Sequence, residues 1–301
     1  MHLIVGATGS LGGTIAKLLR ERGEAVRALV RPTSPARQGA RHTTPEDLAA
    51  WGVELVEGDL HRPETLDAAA RGATSVVATA SGTKRAPPDT VEAIDVAGTE
   101  ALAAAAARAG VGRFLLVSTV GAHPDHPVPL FAAKGRGEAA VRASGVPYTV
   151  LQPAKYLQDW VGFLIGAQIA ATADAPRVDL VGAGDVPTTF VDEGDVARVA
   201  AAALFDAGAA NATLPLATSA ATYLDVVRAA ERRLGRPVAV RHLGPHEPVA
   251  TVPAEIAGTV TALLGMQAAS PPDTRTTPET FARFGVAPTA LETYLDSMLR
   301  G

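Results

Sequence analysis

The sequence predicts an α/β chain: a doubly wound parallel β-sheet followed by a smaller C-terminal α/β lobe. Three observations predict it. His2–Val5 is a short apolar run that breaks at Gly6, and Leu11, Ile15, Leu18 and Leu19 then recur with the period of a helix packed on one side. Further short apolar runs, Ala25–Val30, Val53–Glu57, Ser75–Thr79, Arg113–Val117 and Tyr148–Leu151, alternate with helix-length segments. The length of 301 residues with 47% hydrophobic content is enough for a large buried core.

The first strand–turn–helix carries the most specific signal. Gly6 allows the strand to turn sharply, Gly9 lets backbone approach a bulky anion, and Gly12 lets the helix approach the sheet. With Thr8, Ser10 and Leu11 these glycines make a Rossmann-type turn whose first helical N–H groups point at a pyrophosphate, with the positive end of the helix dipole behind them. The second strand ends at Arg31, about 20 residues on. An acidic residue there would read a free ribose 2′-hydroxyl, whereas an arginine suits a 2′-phosphate, so the expected cofactor is NADP(H). The other reading of Arg31 is a solvated strand-end residue. From Pro32 to Pro45 the chain reads as a surface loop in which Arg37 and Arg41 either close over the phosphate or face water.

A helix at Glu46–Ala50 leads to the third strand, which ends at Gly58-Asp59-Leu60. Small residues, Thr79, Ala80, Ser81 and Gly82, follow the fourth strand, suited to passing close to a cofactor, and Lys84–Pro88 reads as a loop. In the helix Val91–Ala109, Gly98 is expected to mark close packing. The fifth strand delivers Ser118 and Thr119 to its carboxyl end, where open α/β sheets hold ligands. Lys134, one of only four lysines, begins the next helix, Ala132–Ala143. The sixth strand leads to Gln152-Pro153-Ala154-Lys155-Tyr156-Leu157. Beyond residue 170 the pattern shortens: Phe190-Val191 and a helix at Asp195–Leu204 are expected to return to the sheet, with Asp192 and Asp195 as helix caps. Helices are expected at Tyr223–Leu234, Pro253–Leu264 and Pro288–Arg300, with a strand at Val238–Arg241.

The segments Gly6–Gly12, Val26–Pro32, Gly58–Leu60, Gly98-Thr99, Phe114–Thr119, Gly145–Leu151 and Phe190–Asp192 together resemble the atypical short-chain dehydrogenases of the NmrA-like and isoflavone-reductase-like group. The resemblance runs from the N-terminus to about residue 200. It implies that Asp59 and Leu60 lie beside the adenine, that the turn at Pro153 touches the nicotinamide, and that the side chains after it line the substrate pocket. Short-chain dehydrogenases use a hydroxyl, a tyrosine and a lysine four residues after the tyrosine. Ser118 or Thr119 supplies the hydroxyl and Lys134 the lysine, but the tyrosine position is Leu130. Many relatives also have asparagine where Asp95 stands. Lys134 itself, His123 or His126 of the following loop, or Tyr156 are the candidate proton donors, unless no proton moves. Tyr156, Leu157, Trp160 and Leu164 also fit helical spacing and a plain core role.

The expected organisation is a dinucleotide-binding domain over residues 1–152, with 187–206 returning to its sheet, and a smaller substrate-binding lobe over 153–301. A net charge of −4 without charge runs argues against nucleic acid and anionic membranes. There is no cysteine, and His123, Asp125 and His126 lack a fourth ligand, so no metal is expected. The chain opens on a strand rather than a leader, and Val161–Ala171 is far short of the roughly 20 residues a membrane span needs, which makes the cytoplasm the expected location. The expected function is an NADP(H)-dependent oxidoreductase that reduces a small apolar carbonyl, enone or quinone-like substrate, as a monomer or homodimer. A non-catalytic NADP-binding sensor and a cofactor-retaining isomerase or cyclase are the alternatives.

Overall fold

The computed structural model describes residues 1–31, 42–83, 85, 87–269 and 273–299, without the side chain of Glu255. Arg37, Arg41 and Lys84 lie outside the described residues. The chain forms two compact units, Met1–Pro153 with Val196–Pro215 and Ala154–Asp195 with Leu216–Gly301.

The first unit is built on strands β1 (His2–Val5), β2 (Val26–Val30), β3 (Glu54–Glu57), β4 (Ser75–Ala78), β5 (Arg113–Val117) and β6 (Tyr148–Pro153). They lie in the order β3-β2-β1-β4-β5-β6, with Ala212–Leu216 as a seventh strand beyond β6. The pairings from β3 through β6 are all parallel. Helices α1 (Ser10–Glu21), α2 (Pro45–Ala50), α3 (Leu66–Ala70), α4 (Thr99–Arg108) and α5 (Pro129–Ala143) connect them, α4 being preceded by a π-helical stretch, Glu92–Gly98. β1 and β4 are buried along their whole length, which is why they read as continuous runs rather than as alternation. Leu3, Val76, Phe114 and Val150 of the sheet pack with Leu66, Leu102 and Val141 of α3, α4 and α5 in one core.

Two glycines decide how the first turn closes. Gly6 has φ of +95°, and a Cβ there would stand 2.5 Å from Thr79 Oγ1; a Cβ on Gly12 would stand 2.3 Å from the Gly6 carbonyl oxygen. Gly98 does mark close packing, its missing Cβ leaving room for Leu60.

The second unit has a three-stranded sheet in which Thr188–Val191 pairs antiparallel with Ser219–Ala221 and parallel with Lys155-Tyr156. A two-stranded parallel sheet joins Arg177–Val181 to Ala239–Leu243. The expectation that Phe190-Val191 returns to the main sheet is therefore corrected. What extends the main sheet is Ala212–Leu216, whose alternating exposure and internal Pro215 suit a strand at the edge. Asp192 caps the helix Glu193–Ala203 by accepting from Asp195 N at 3.1 Å, as expected. Asp195 is fully buried and accepts from the Thr289 amide and, at 3.1 Å, its hydroxyl. The later helices are Tyr223–Leu234, Ala254–Ala268, Pro278–Arg283 and Leu291–Met298. Phe190, Leu157, Val161, Leu164, Leu180, Val226 and Leu295 form this unit's core. No described helix is long and apolar enough to cross a membrane.

Lys155 of this unit donates to Thr188 Oγ1 at 2.7 Å and lies over the Trp160 ring. Burial lowers its pKa to about 8, against the opposing pull of Asp273.

Two outcomes follow from this packing. Gly12→Ala destabilises the chain by about 1–3 kcal/mol, because the added methyl meets backbone that cannot yield; the fall in urea midpoint measures it. The native chain releases the Lys155 proton near pH 8 and the unfolded chain only near 10.5. Between those values the unfolded state binds more protons, so stability rises with pH. Urea titrations at the two ends of this window show the rise in the wild type and lose it in Lys155→Met.

Candidate functional site

The carboxyl ends of β1–β6 share one edge of the parallel sheet, and the expected cofactor residues of the first unit fall there. Gly6, Thr8, Gly9, Ser10, Leu11 and Gly12 form the turn from β1 to α1; Arg31 ends β2; Asp59 and Leu60 follow β3; Thr79, Ala80 and Ser81 follow β4; Pro153 ends β6. Gly9 is the N-cap of α1, no side chain caps its first turn, and no acidic residue stands in that turn. Among the described residues, no side chain thus takes up these amides and the positive dipole end, which suit an anion. The Gly9 amide closes the turn on the Gly6 carbonyl at 2.9 Å. Thr79 spends its hydroxyl on the Val5 carbonyl at 3.2 Å, tying the end of β4 to the glycine turn. The donor set and the cradle that a Cβ at Gly6 or Gly12 would fill both fit a nucleotide diphosphate.

Lys134 is buried in the first turns of α5. Its Nζ lies 2.8 Å from Asp95 Oδ1 and donates to the Val117 carbonyl at 3.2 Å. The other Asp95 oxygen accepts from the Gly82 amide at 2.9 Å and Ser81 Oγ at 3.2 Å. Two α5 glycines permit this approach: a Cβ on Gly137 would lie 2.4 Å from the Asp95 carbonyl oxygen, and one on Gly135 2.3 Å from the His123 backbone. Asp95, with 1% of its side chain exposed, is thus the fixed counter-ion of Lys134. An ammonium has three donors; one goes to the Val117 carbonyl, while Asp95 Oδ1 is held at ion-pair distance without a hydrogen bond, so a donor is left for a ligand.

Of the two hydroxyls expected to serve the substrate, Ser118 or Thr119, that of Ser118 is committed inside the protein. Its Oγ donates to Glu138 of α5, which is 3% exposed and also accepts from Gln152 Nε2 at 2.9 Å and Arg142 Nη2 at 2.8 Å. Thr119, partly exposed, makes only long contacts of 3.4–3.5 Å to the Pro153 and Val120 carbonyls and is the available hydroxyl. His123 is exposed, with its Nδ1 accepting from the Asp125 amide at 3.3 Å, and His126 stacks on Phe131 with 4.7 Å between ring centroids. Tyr156 belongs to the second unit. Its hydroxyl is buried with no hydrogen-bond partner among the described residues, and burial raises its pKa well above the usual phenol value. That makes it a weaker acid and favours the core reading of this residue.

Arg31 has an acidic partner, which contradicts the expectation of a strand end facing only solvent or phosphate. Its Nη1 donates to Asp89 Oδ1 at 3.0 Å. Asp89 also accepts from His61 Nε2 at 2.8 Å and Arg85 Nη1 at 3.0 Å. Burial pushes its pKa up, but the hydrogen bonds from Arg31, His61 and Arg85 outweigh burial and hold it at about 2. The sequence does not single out Asp89 or Glu138, and marks Asp95 only as a departure from the family's asparagine, because nothing local shows which distant base a carboxylate will meet.

The model of the NmrA-like family matches residues 2–272. The NAD(P)H azoreductase of Xenophilus azovorans is 32% identical over 239 residues, covering 79% of this chain and 75% of that protein. Photosystem II assembly factor Ycf39 of Guillardia theta is 30% identical over 214 residues, which is 71% of this chain and 63% of the length of that protein. Among solved structures, the triphenylmethane reductase of Citrobacter sp. complexed with NADP(H) superposes with a TM-score of 0.78 at 22% identity, covering 99% of this chain and 100% of that one. That likeness is one of fold. With its family model matched over nearly the whole length and its glycine turn, sheet order and buried lysine in place, this chain belongs to the NmrA-like family.

Proposed function

We propose that this chain is an NADP(H)-dependent oxidoreductase acting on a small apolar carbonyl, enone or quinone-like substrate. The observation that carries the reading is Lys134, fixed by Asp95 and the Val117 carbonyl at the ligand-bearing edge of the sheet with one donor left over. A structural ion pair alone has no need of that position. The azoreductase relative, whose name states its use of NAD(P)H, supports the cofactor assignment.

Bound NADPH supplies the hydride, so the chain's own residues have to hold, orient and neutralise. The amides of the Gly6–Gly12 turn and the start of α1 hold the pyrophosphate, and Arg31 meets the 2′-phosphate. Asp59 and Leu60 would lie beside the adenine, Thr79–Ser81 would let the cofactor pass close to the backbone, and the turn at Pro153 would touch the nicotinamide. The free donor of Lys134 takes a nicotinamide-ribose hydroxyl or the substrate oxygen as negative charge develops there, and Thr119 is the hydroxyl able to share that charge. Quinone and enone reduction suits such a site, because the charge formed is delocalised and the proton can come from water.

A second reading, a dinucleotide-binding regulator without turnover, is favoured by Leu130 at the tyrosine position and by the similarity to an assembly factor. The two readings part on one experiment. With a panel of quinones and enones, the wild type oxidises NADPH; binding without consumption supports the regulator instead. Lys134→Met lowers turnover by about a hundredfold or more, whereas Tyr156→Phe leaves it within about threefold, because a buried hydroxyl reaches no substrate. Lys134→Met strands a buried carboxylate, so Lys134→Met with Asp95→Asn is measured beside it as the neutral pair. Full turnover in the paired variant would remove Lys134 from the mechanism.

A further inference from the structure

Three connections at the carboxyl edge of the sheet each bring one nitrogen donor to the same carboxylate. Arg31 comes from the end of β2, His61 from the segment after β3 and Arg85 from the segment after β4; all donate to Asp89, at 3.0, 2.8 and 3.0 Å. Because a carboxylate only accepts, His61 carries its proton on Nε2. The charges do not balance: two guanidinium groups and an imidazole face one carboxylate. The donors are not used up either. Arg31 gives Asp89 only Nη1, and among the described residues nothing takes its Nε or Nη2; Arg85 gives Nη1 to Asp89 and Nε to the Ser81 carbonyl at 3.1 Å. The three side chains are 20–26% exposed, while that of Asp89 is 11% exposed. The cationic rim is thus reachable from solvent and the carboxylate lies behind it.

A partly buried surplus of positive charge with open, planar donors is what a dianionic phosphate complements, through paired charge-assisted hydrogen bonds. We propose that Arg85 and His61 join Arg31 in recognising the 2′-phosphate of the nucleotide, with Asp89 as the positioning carboxylate that gathers the three. This rests on the reading that the chain binds NADP(H), and adds to it two specificity-determining residues and one positioning residue. A structural lock between the connections is the competing account, and it makes a different prediction about nucleotide choice.

The test is calorimetric titration of the full chain with NADPH and with NADH, for the wild type, Arg85→Gln and His61→Gln. Glutamine keeps a donor for Asp89 while removing the guanidinium of Arg85 or the imidazole of His61, so the cluster stays tied. Each variant weakens NADPH binding about tenfold and shifts NADH binding by less than about threefold, since a hydrogen bond to a charged group is worth roughly one factor of ten or more. Arg31→Ala shows the same selective loss. In Asp89→Asn the hydrogen bonds that aim the arginines weaken, so rescue of melting temperature by this variant without any change in the NADPH-to-NADH ratio counts against the positioning role. A wild type that prefers NADPH, with both glutamine variants unchanged in that preference and only less stable, overturns this inference and leaves the NADP(H) reading standing. A wild type that binds neither nucleotide overturns both.

Discussion

The first unit depends on keeping one ion pair, Lys134 with Asp95, out of water. Desolvating both charges costs several kcal/mol for each ion before their attraction is counted, so such a pair persists only with near-ideal geometry and with the remaining lone pairs and protons satisfied. Here the Gly82 amide and the Ser81 hydroxyl satisfy Asp95 Oδ2, the Lys134 ammonium stands 2.8 Å from Oδ1, and the Val117 carbonyl takes one ammonium proton. Those partners come from the connection after β4 and from the end of β5, so the pair joins neighbouring strands to α5. Gly135 and Gly137 bear the steric side of the same requirement, since a methyl at either would meet backbone closer than 2.5 Å. Removing one charge would leave the other buried alone, which is why the pair behaves as one element.

A second buried carboxylate ties α5 to the sheet. Glu138 gathers Ser118, Gln152 and Arg142, joining β5 and β6 to the helix one turn beyond Lys134. The hydroxyl that the short-chain dehydrogenase pattern would turn towards substrate is turned inwards instead. With Leu130 in place of the tyrosine, the lysine is retained and Thr119 is left as the hydroxyl. Such a site suits substrates whose reduced form carries its own charge over a conjugated system, because hydride addition then needs little help from a protein acid.

The fold was legible where the signal was local. The glycine turn, the buried strands and the amphipathic helices each carry their pattern within a dozen residues, and the parallel order follows from strand–helix alternation. Pairings across the chain were not legible. Arg31 and Asp89 lie 58 positions apart and Ser118 and Glu138 lie 20 apart, with nothing at either end that names the other. The strand at Phe190-Val191 was found but given to the wrong sheet, because full burial marks a central strand without saying which sheet it is central to. Ala212–Leu216 was missed because an edge strand with a proline and exposed alternate residues reads as a loop. Gly98 was read correctly because a glycine inside a helix is costly enough to need a packing reason.

Hydride transfer through this site is tested most directly by isotope. NADPH carrying deuterium at either face of nicotinamide C4 is incubated with the chain and a quinone or enone, and the products are analysed by mass spectrometry. The account predicts that the label from one face alone reaches the reduced substrate or, for a quinone whose label exchanges, leaves the cofactor stereospecifically, and that Lys134→Met with Asp95→Asn slows its loss. Nicotinamide that binds tightly yet keeps both labels across the whole panel would contradict the account and make the chain a dinucleotide-binding protein without turnover.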